Sequence, residues 1–133
     1  MKIVEVSRLE MERRQMKPAT LQAAVEAMNQ DGVVLLPEVI NIEHIDVLGE
    51  KMQADIRQLE TSEGISNNWA GVRPPPFAPY LFKDIIYNEM AISVTRQLMG
   101  DGVFLDSYGT NTAFVGDQMQ GIHACLLYTS PSP

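Results

Sequence analysis

Asn29-Gln30-Asp31-Gly32-Val33-Val34-Leu35-Leu36-Pro37 packs a helix terminus, a reversal and a strand into nine consecutive residues. Three polar residues run out to a glycine, the residue that most readily takes the left-handed conformation closing a helix. Four apolar residues follow and Pro37 stops them, as expected of a short buried strand. Upstream, Leu21, Ala24, Val25 and Met28 recur at i, i+3, i+4 and i+7 and mark one face of an amphipathic helix. Thr20 is the expected N-cap of that helix. A helix passing through Asp-Gly into an apolar strand is an ordered opening, not a linker.

Residues 1–19 read as an N-terminal arm. They are polar and mixed, Pro18 closes them, and they form either a poorly ordered segment or a loosely docked first strand. On the other side of the opening, Asn41 is the expected cap of a second helix running to about Leu59. Ile45, Leu48, Met52, Ile56 and Leu59 lie along one stripe of it. His44 falls near the first turn, where a solvated polar position is the plain reading. Residues 61–80 are a loop by composition, with Ser62, Gly64, Ser66, Asn67, Asn68, Gly71, Pro74, Pro75, Pro76 and Pro79. Irregular stretches of that length inside a domain are often binding loops or lids. Trp69 and Arg73 sit in this loop, and an aromatic with a guanidinium could hold a substrate carboxylate or phosphate. The plainer alternative is that Trp69 pins the loop to the core.

A third helix is predicted over 82–99, with Ile85, Ile86, Met90, Ile92, Val94 and Leu98 as its apolar content and Gly100 and Gly102 as its stop. Two strand-like runs follow, 103–108 and 111–115, separated by Gly109-Thr110. Helices first and strands afterwards is an α+β order. Val103, Phe104, Phe114 and Val115 then need cover from further strands, because open apolar edges are an aggregation hazard.

Composition narrows the function classes. The 133 residues are 45% hydrophobic and 20% charged, the mix of a globular chain of one domain. Ten Lys and Arg against seventeen Asp and Glu leave a net charge of −7. The basic run Arg13-Arg14 is diluted by Glu10 and Glu12, so the basic face that nucleic acid demands is missing. No apolar stretch approaches the roughly 18–20 residues of a membrane span, and no secretory signal pattern opens the chain. Cys125 is the single cysteine and has no internal disulfide partner, which fits a reducing, cytoplasmic setting. An enzyme or binder acting on a small molecule is the class that remains.

Chemistry concentrates in Gly116-Asp117-Gln118-Met119-Gln120-Gly121-Ile122-His123-Ala124. A neutral imidazole ligates ferrous iron well, and a second ligand two residues on would share the face of a strand with it. The order of motifs over 20–124 resembles the phytanoyl-CoA dioxygenase family of iron(II)- and 2-oxoglutarate-dependent oxygenases. The resemblance runs from Asp31-Gly32-Val33-Val34-Leu35-Leu36-Pro37 through a long helix, a loop and a helix ending Leu98-Met99-Gly100. It finishes at Gly116 and Gln120-Gly121-Ile122-His123, where the family commonly has Pro-Gly and then Gln-x-x-His-x-Asp. It implies an α+β fold whose N-terminal helices lead into the first strands of a double-stranded β-helix, a jelly-roll relative of the cupins. It also implies His123 as the first iron ligand and Gln120 near the cofactor, with Fe(II) and 2-oxoglutarate as the cofactors of a hydroxylation.

Position 125 departs from the family, with Cys where the Asp is expected. No second distal His and no Arg follow it, so the ligand set is incomplete within the sequence. Residues 125–133 fit nothing before them and look like translated sequencing adapter, a non-native tail. On that view 20–124 is the N-terminal part of a single oxygenase domain, and the chain by itself is inactive. The competing expectation is a degenerate relative that binds or regulates without iron chemistry.

Overall fold

Pro18 fixes the start of the helix that organises the molecule. Proline lacks an N–H and has a preset φ, both harmless at a first helical position. The computed structural model describes residues 1–63, 73–105 and 108–109, with 59–63 described by backbone alone. In chain order its elements are β1 (Lys2–Ile3), α1 (Arg8–Arg13), α2 (Pro18–Asp31), β2 (Val34–Leu35), α3 (Ile42–Glu63), α4 (Lys83–Ile86) and α5 (Glu89–Met99). The helix expected from Thr20 thus begins two residues earlier, with Lys17 at the N-cap position. The Thr20 side chain instead supports the carboxylate of Glu10. At the far end Gly32 closes α2 with φ 71°, and its N–H bonds to the Met28 carbonyl at 2.9 Å.

The expected stripe on α2 is the one that packs. Ala24 and Val25 are buried, and Leu21 and Met28 pack against the core that they form. β2 is two residues long and pairs in parallel with β1, in the register Lys2 with Val34 and Ile3 with Leu35. The Val4 N–H extends the pairing to the Leu35 carbonyl at 2.9 Å. Of the two readings for the arm, a docked first strand is the one seen, and the segment after it is structural. Val4, Val6 and Met16 are among the buried core residues, beside Met90 and Val94 from α5.

α1 is short and owes its existence to its ends. Ser7 and Glu10 form a reciprocal capping box in which each side chain serves the other residue's backbone N–H. Glu10 is buried, and its second oxygen accepts the Lys17 N–H at 2.7 Å, which joins the end of α1 to the start of α2. The Ser7 hydroxyl, the Lys17 N–H and the Thr20 side chain outweigh burial and hold this carboxyl down at about 2.

The stripe on α3 is only partly used among the described residues. Leu48 is buried and Met52 and Ile56 are half-buried, while Ile45 is exposed. The helix also runs on to Glu63, so residues 61–63 of the expected loop are helical, whereas 73–80 carry no regular element. The third expected helix is two helices. α4 ends at Tyr87, and Asn88 starts α5 by accepting the N–H groups of Met90 and Ala91, both at 3.1 Å. Its amide donates to the carbonyls of Val39 at 2.9 Å and Asp84 at 3.0 Å. A continuous helix would forfeit those four bonds from a buried side chain.

Residues 103–105 and 108–109 form no strand, against the expected run over 103–108; among the described residues the ladder is β1 with β2. Phe104 is 82% exposed there. Residues 111–115 lie outside the described residues. Among the described residues the α+β character is helix-dominated, with one two-stranded parallel sheet. No helix among the described residues is long and apolar enough to cross a membrane.

Two outcomes follow for stability. Ser7→Ala removes one exposed-end cap and should cost about 1 kcal/mol in urea denaturation, whereas Asn88→Ala should cost about 2–3 kcal/mol because it orphans buried backbone groups. Glu10 is ionised more readily folded than unfolded, so its contribution is complete above about pH 4.5 and is lost as pH falls toward 2. The stability of Glu10→Gln, followed by circular dichroism, should therefore show a flatter acid limb across that window than the parent.

Candidate functional site

Asn41 caps α3 as expected, its Oδ1 accepting the Glu43 N–H at 3.0 Å. Its own N–H is donated elsewhere, to Asp84 Oδ2 on α4 at 2.9 Å. The cap therefore fixes the first turn of α3 against α4, and His44 in that turn meets the same carboxylate. His44 Nδ1 lies 2.7 Å from Asp84 Oδ1, and its ring stacks on Phe82 with centroids 4.3 Å apart and planes 14° from parallel. The expected solvated His44 is thus a partly buried tether. Partial burial opposes ionisation of Asp84, but the Asn41 N–H and the His44 ring outweigh it and hold the carboxyl below its ordinary value.

This tether forms one side of a cleft of about 520 Å³, within the roughly 300–1,000 Å³ usual for small-molecule sites. Met11 and Arg14 from the α1 end, Val39, and the run 81–84 surround it, with Asn88, Glu89 and Met90 at the start of α5. Arg14 is the C-cap of α1 and holds the left-handed conformation at φ 53°, with its N–H bonded to the Glu10 and Met11 carbonyls. From there its Nη1 lies 3.5 Å from Glu89 Oε1, and Lys83 Nζ lies 3.5 Å from the same oxygen. The cleft thus combines an apolar wall, two cations sharing one carboxylate oxygen, and a histidine–aspartate pair whose second oxygen is already engaged.

Of the site residues expected from the sequence, Arg73 is the one described, and it does not line this cleft. Arg73 is exposed, and its Cγ lies 3.9 Å from where a Cβ on Gly109 would stand, so the loop runs beside residues 108–109. Trp69, Gln120, His123 and Cys125 lie outside the described residues. No group of three or more His, Cys, Asp or Glu side chains among the described residues converges as a metal site requires. His44 and Asp84 supply only two donors, and Asp84 spends both oxygens on His44 and Asn41. The described residues therefore do not fit iron, and no chemical step through a metal follows from them.

Arg14, Phe82, Lys83, Asp84, Asn88 and Glu89 were not legible as a group. Their partners lie 40 or more positions away in most cases, as with His44–Asp84 and Arg14–Glu89. One local signal was present, the Asn88-Glu89 pair typical of a helix start inside the run 82–99. Comparison with known proteins finds no family model, no curated protein and no solved structure that matches this chain.

The tether makes a local prediction. Asp84→Ala should speed hydrogen exchange of the Asn41 amide about tenfold, since a bond to a charged acceptor is lost there. The Met90 amide, which bonds to Asn88, should keep its protection. Equal acceleration at both would mean that α4 and α5 loosen together instead.

Proposed function

We propose that this chain is the N-terminal part of an iron(II)- and 2-oxoglutarate-dependent dioxygenase that hydroxylates a small organic substrate. The observation that carries the reading is the order of motifs, from Asp31-Gly32-Val33-Val34-Leu35-Leu36-Pro37 to Gln120-Gly121-Ile122-His123. Support comes from the opening itself: a helix closed by left-handed Gly32 does run into a strand, a long helix does follow, and α5 does end at Met99-Gly100. The double-stranded β-helix, the iron centre beginning at His123 and a cytoplasmic setting belong to the same proposal. Within it the described helices would form a wrapper leading into that β-helix.

The site that the proposal needs is chemically specific. His123 and a carboxylate two residues later would share one strand face, and a distal His and an Arg would complete the metal and 2-oxoglutarate contacts. Cys125 stands where that carboxylate is required. A thiolate there would soften the ligand set, and a His-x-Cys pair alone would leave the iron mostly to water.

The test is to read the source transcript across codon 124 from independently amplified material and to assay the protein it encodes. Asp at position 125, followed by a distal His and an Arg, with succinate formed from 2-oxoglutarate only when ferrous iron is present, is the expected result. Confirmed Cys125 with no later His or Arg overturns the oxygenase reading and leaves a binding module of the same fold.

A further inference from the structure

The cleft between the end of α1, the start of α3 and the α4–α5 junction is lined by none of the residues assigned to the proposed iron chemistry, and its construction is not explained by stability. Arg14 occupies a left-handed helix-capping position with φ 53°, which glycine or asparagine adopts without strain. A bulky residue there is disfavoured by roughly 1–2 kcal/mol. The ion pair that Arg14 makes with Glu89 is long, at 3.5 Å, and the Arg14 side chain is 61% exposed, so it offsets little of that strain. Strained residues of this kind cluster where a side chain must be aimed. Arg14 is aimed at the cleft mouth, where Lys83 is equally exposed and equally distant from the same Glu89 oxygen. Among the described residues the two cations share that one carboxylate oxygen, and Lys83 Nζ also lies 5.8 Å from the centre of the Tyr87 ring, so their N–H groups keep capacity for a further anion.

Beneath the cations the wall is apolar, built from Met11, Val39, Leu81 and Met90 beside the Phe82 ring. Asp84 also faces the cleft, but the Asn41 N–H and His44 engage both its oxygens. Two carboxylates near the mouth repel a dianion more than a monoanion, which disfavours phosphate as the occupant. We propose that this cleft binds a monoanionic organic carboxylate with an apolar body. Arg14 and Lys83 hold its carboxylate, and its hydrocarbon lies along Leu81, Phe82 and Met90. This proposal does not depend on the oxygenase reading.

Its test uses the full 133-residue chain, isotope-labelled, titrated with 4-phenylbutyrate, acetate or inorganic phosphate while the Asn88 and Arg14 side-chain signals are followed by NMR. Phenylbutyrate should move those signals saturably, and acetate and phosphate should bind at least about tenfold more weakly. Lys83→Gln and Arg14→Gly should each weaken phenylbutyrate about three- to tenfold, as loss of one charge-assisted contact at a partly exposed site predicts. Arg14→Gly relieves the left-handed strain, so its melting temperature should hold or rise while its affinity falls. That combination separates ligand binding from a structural role. Absence of a saturable shift in the parent chain, affinity unchanged in both variants, or acetate or phosphate binding as tightly as phenylbutyrate would each overturn the proposal.

Discussion

One buried amide sets the geometry of the α4–α5 region. Asn88 directs its oxygen to the N–H groups of the second and third residues of α5, Met90 and Ala91, and its nitrogen to the carbonyls of Val39 and Asp84. Every polar atom of that side chain is spent, which is the condition for burying an amide without loss. The bond to Val39 spans 49 positions and ties α5 to the segment that leaves β2. The axis of α5, and hence the placement of Met90 and Val94 in the core, follows from this junction.

The core it positions is small and drawn from distant parts of the chain. Val4, Val6 and Met16 come from the N-terminal segment, Ala24 and Val25 from α2, and Met90 and Val94 from α5. No large side chain among the described residues is fully buried. Among the described residues, polar devices at the element ends add specificity to this packing. The Ser7–Glu10 box, the Gly32 cap, the Asn41–Asp84–His44 tether and Asn88 each lie at an end or a junction. The cleft lies where two of these, the Asn41–Asp84–His44 tether and Asn88, meet the end of α1, which is why it presents charged groups above an apolar floor.

What could be read from the chain itself was local. The face of α2 and its glycine terminus depend on residues within a few positions of one another and are found as expected. The cap of α3 at Asn41 belongs to the same class. The strand after α2 is shorter than expected, Val34–Leu35, and Val33 and Leu35 are exposed rather than buried because only β1 lies beside it among the described residues. The break between α4 and α5 escaped because its cause, the Val39 carbonyl, is remote in sequence. The N-terminal segment is a different case. Val4 and Val6 flank exposed Glu5, and Ser7-Arg8-Leu9-Glu10 fits the capping-box spacing, so strand and helix signals were both present but drowned by the polar composition around them. Trp69, Gln120, His123 and Cys125 stand on chemistry and resemblance alone.

The split core has a consequence for how the protein comes into being. A ribosome releases Val4 through Val25 early, and roughly 65 residues must follow before Met90 emerges. At about 5–20 residues per second, the apolar face of α2 spends several seconds without its final covering helix. The β1–β2 ladder and the α1–α2 joint can form in that interval, because all their parts are already made. During that delay the nascent chain offers Ala24 and Val25 to whatever binds exposed apolar helices.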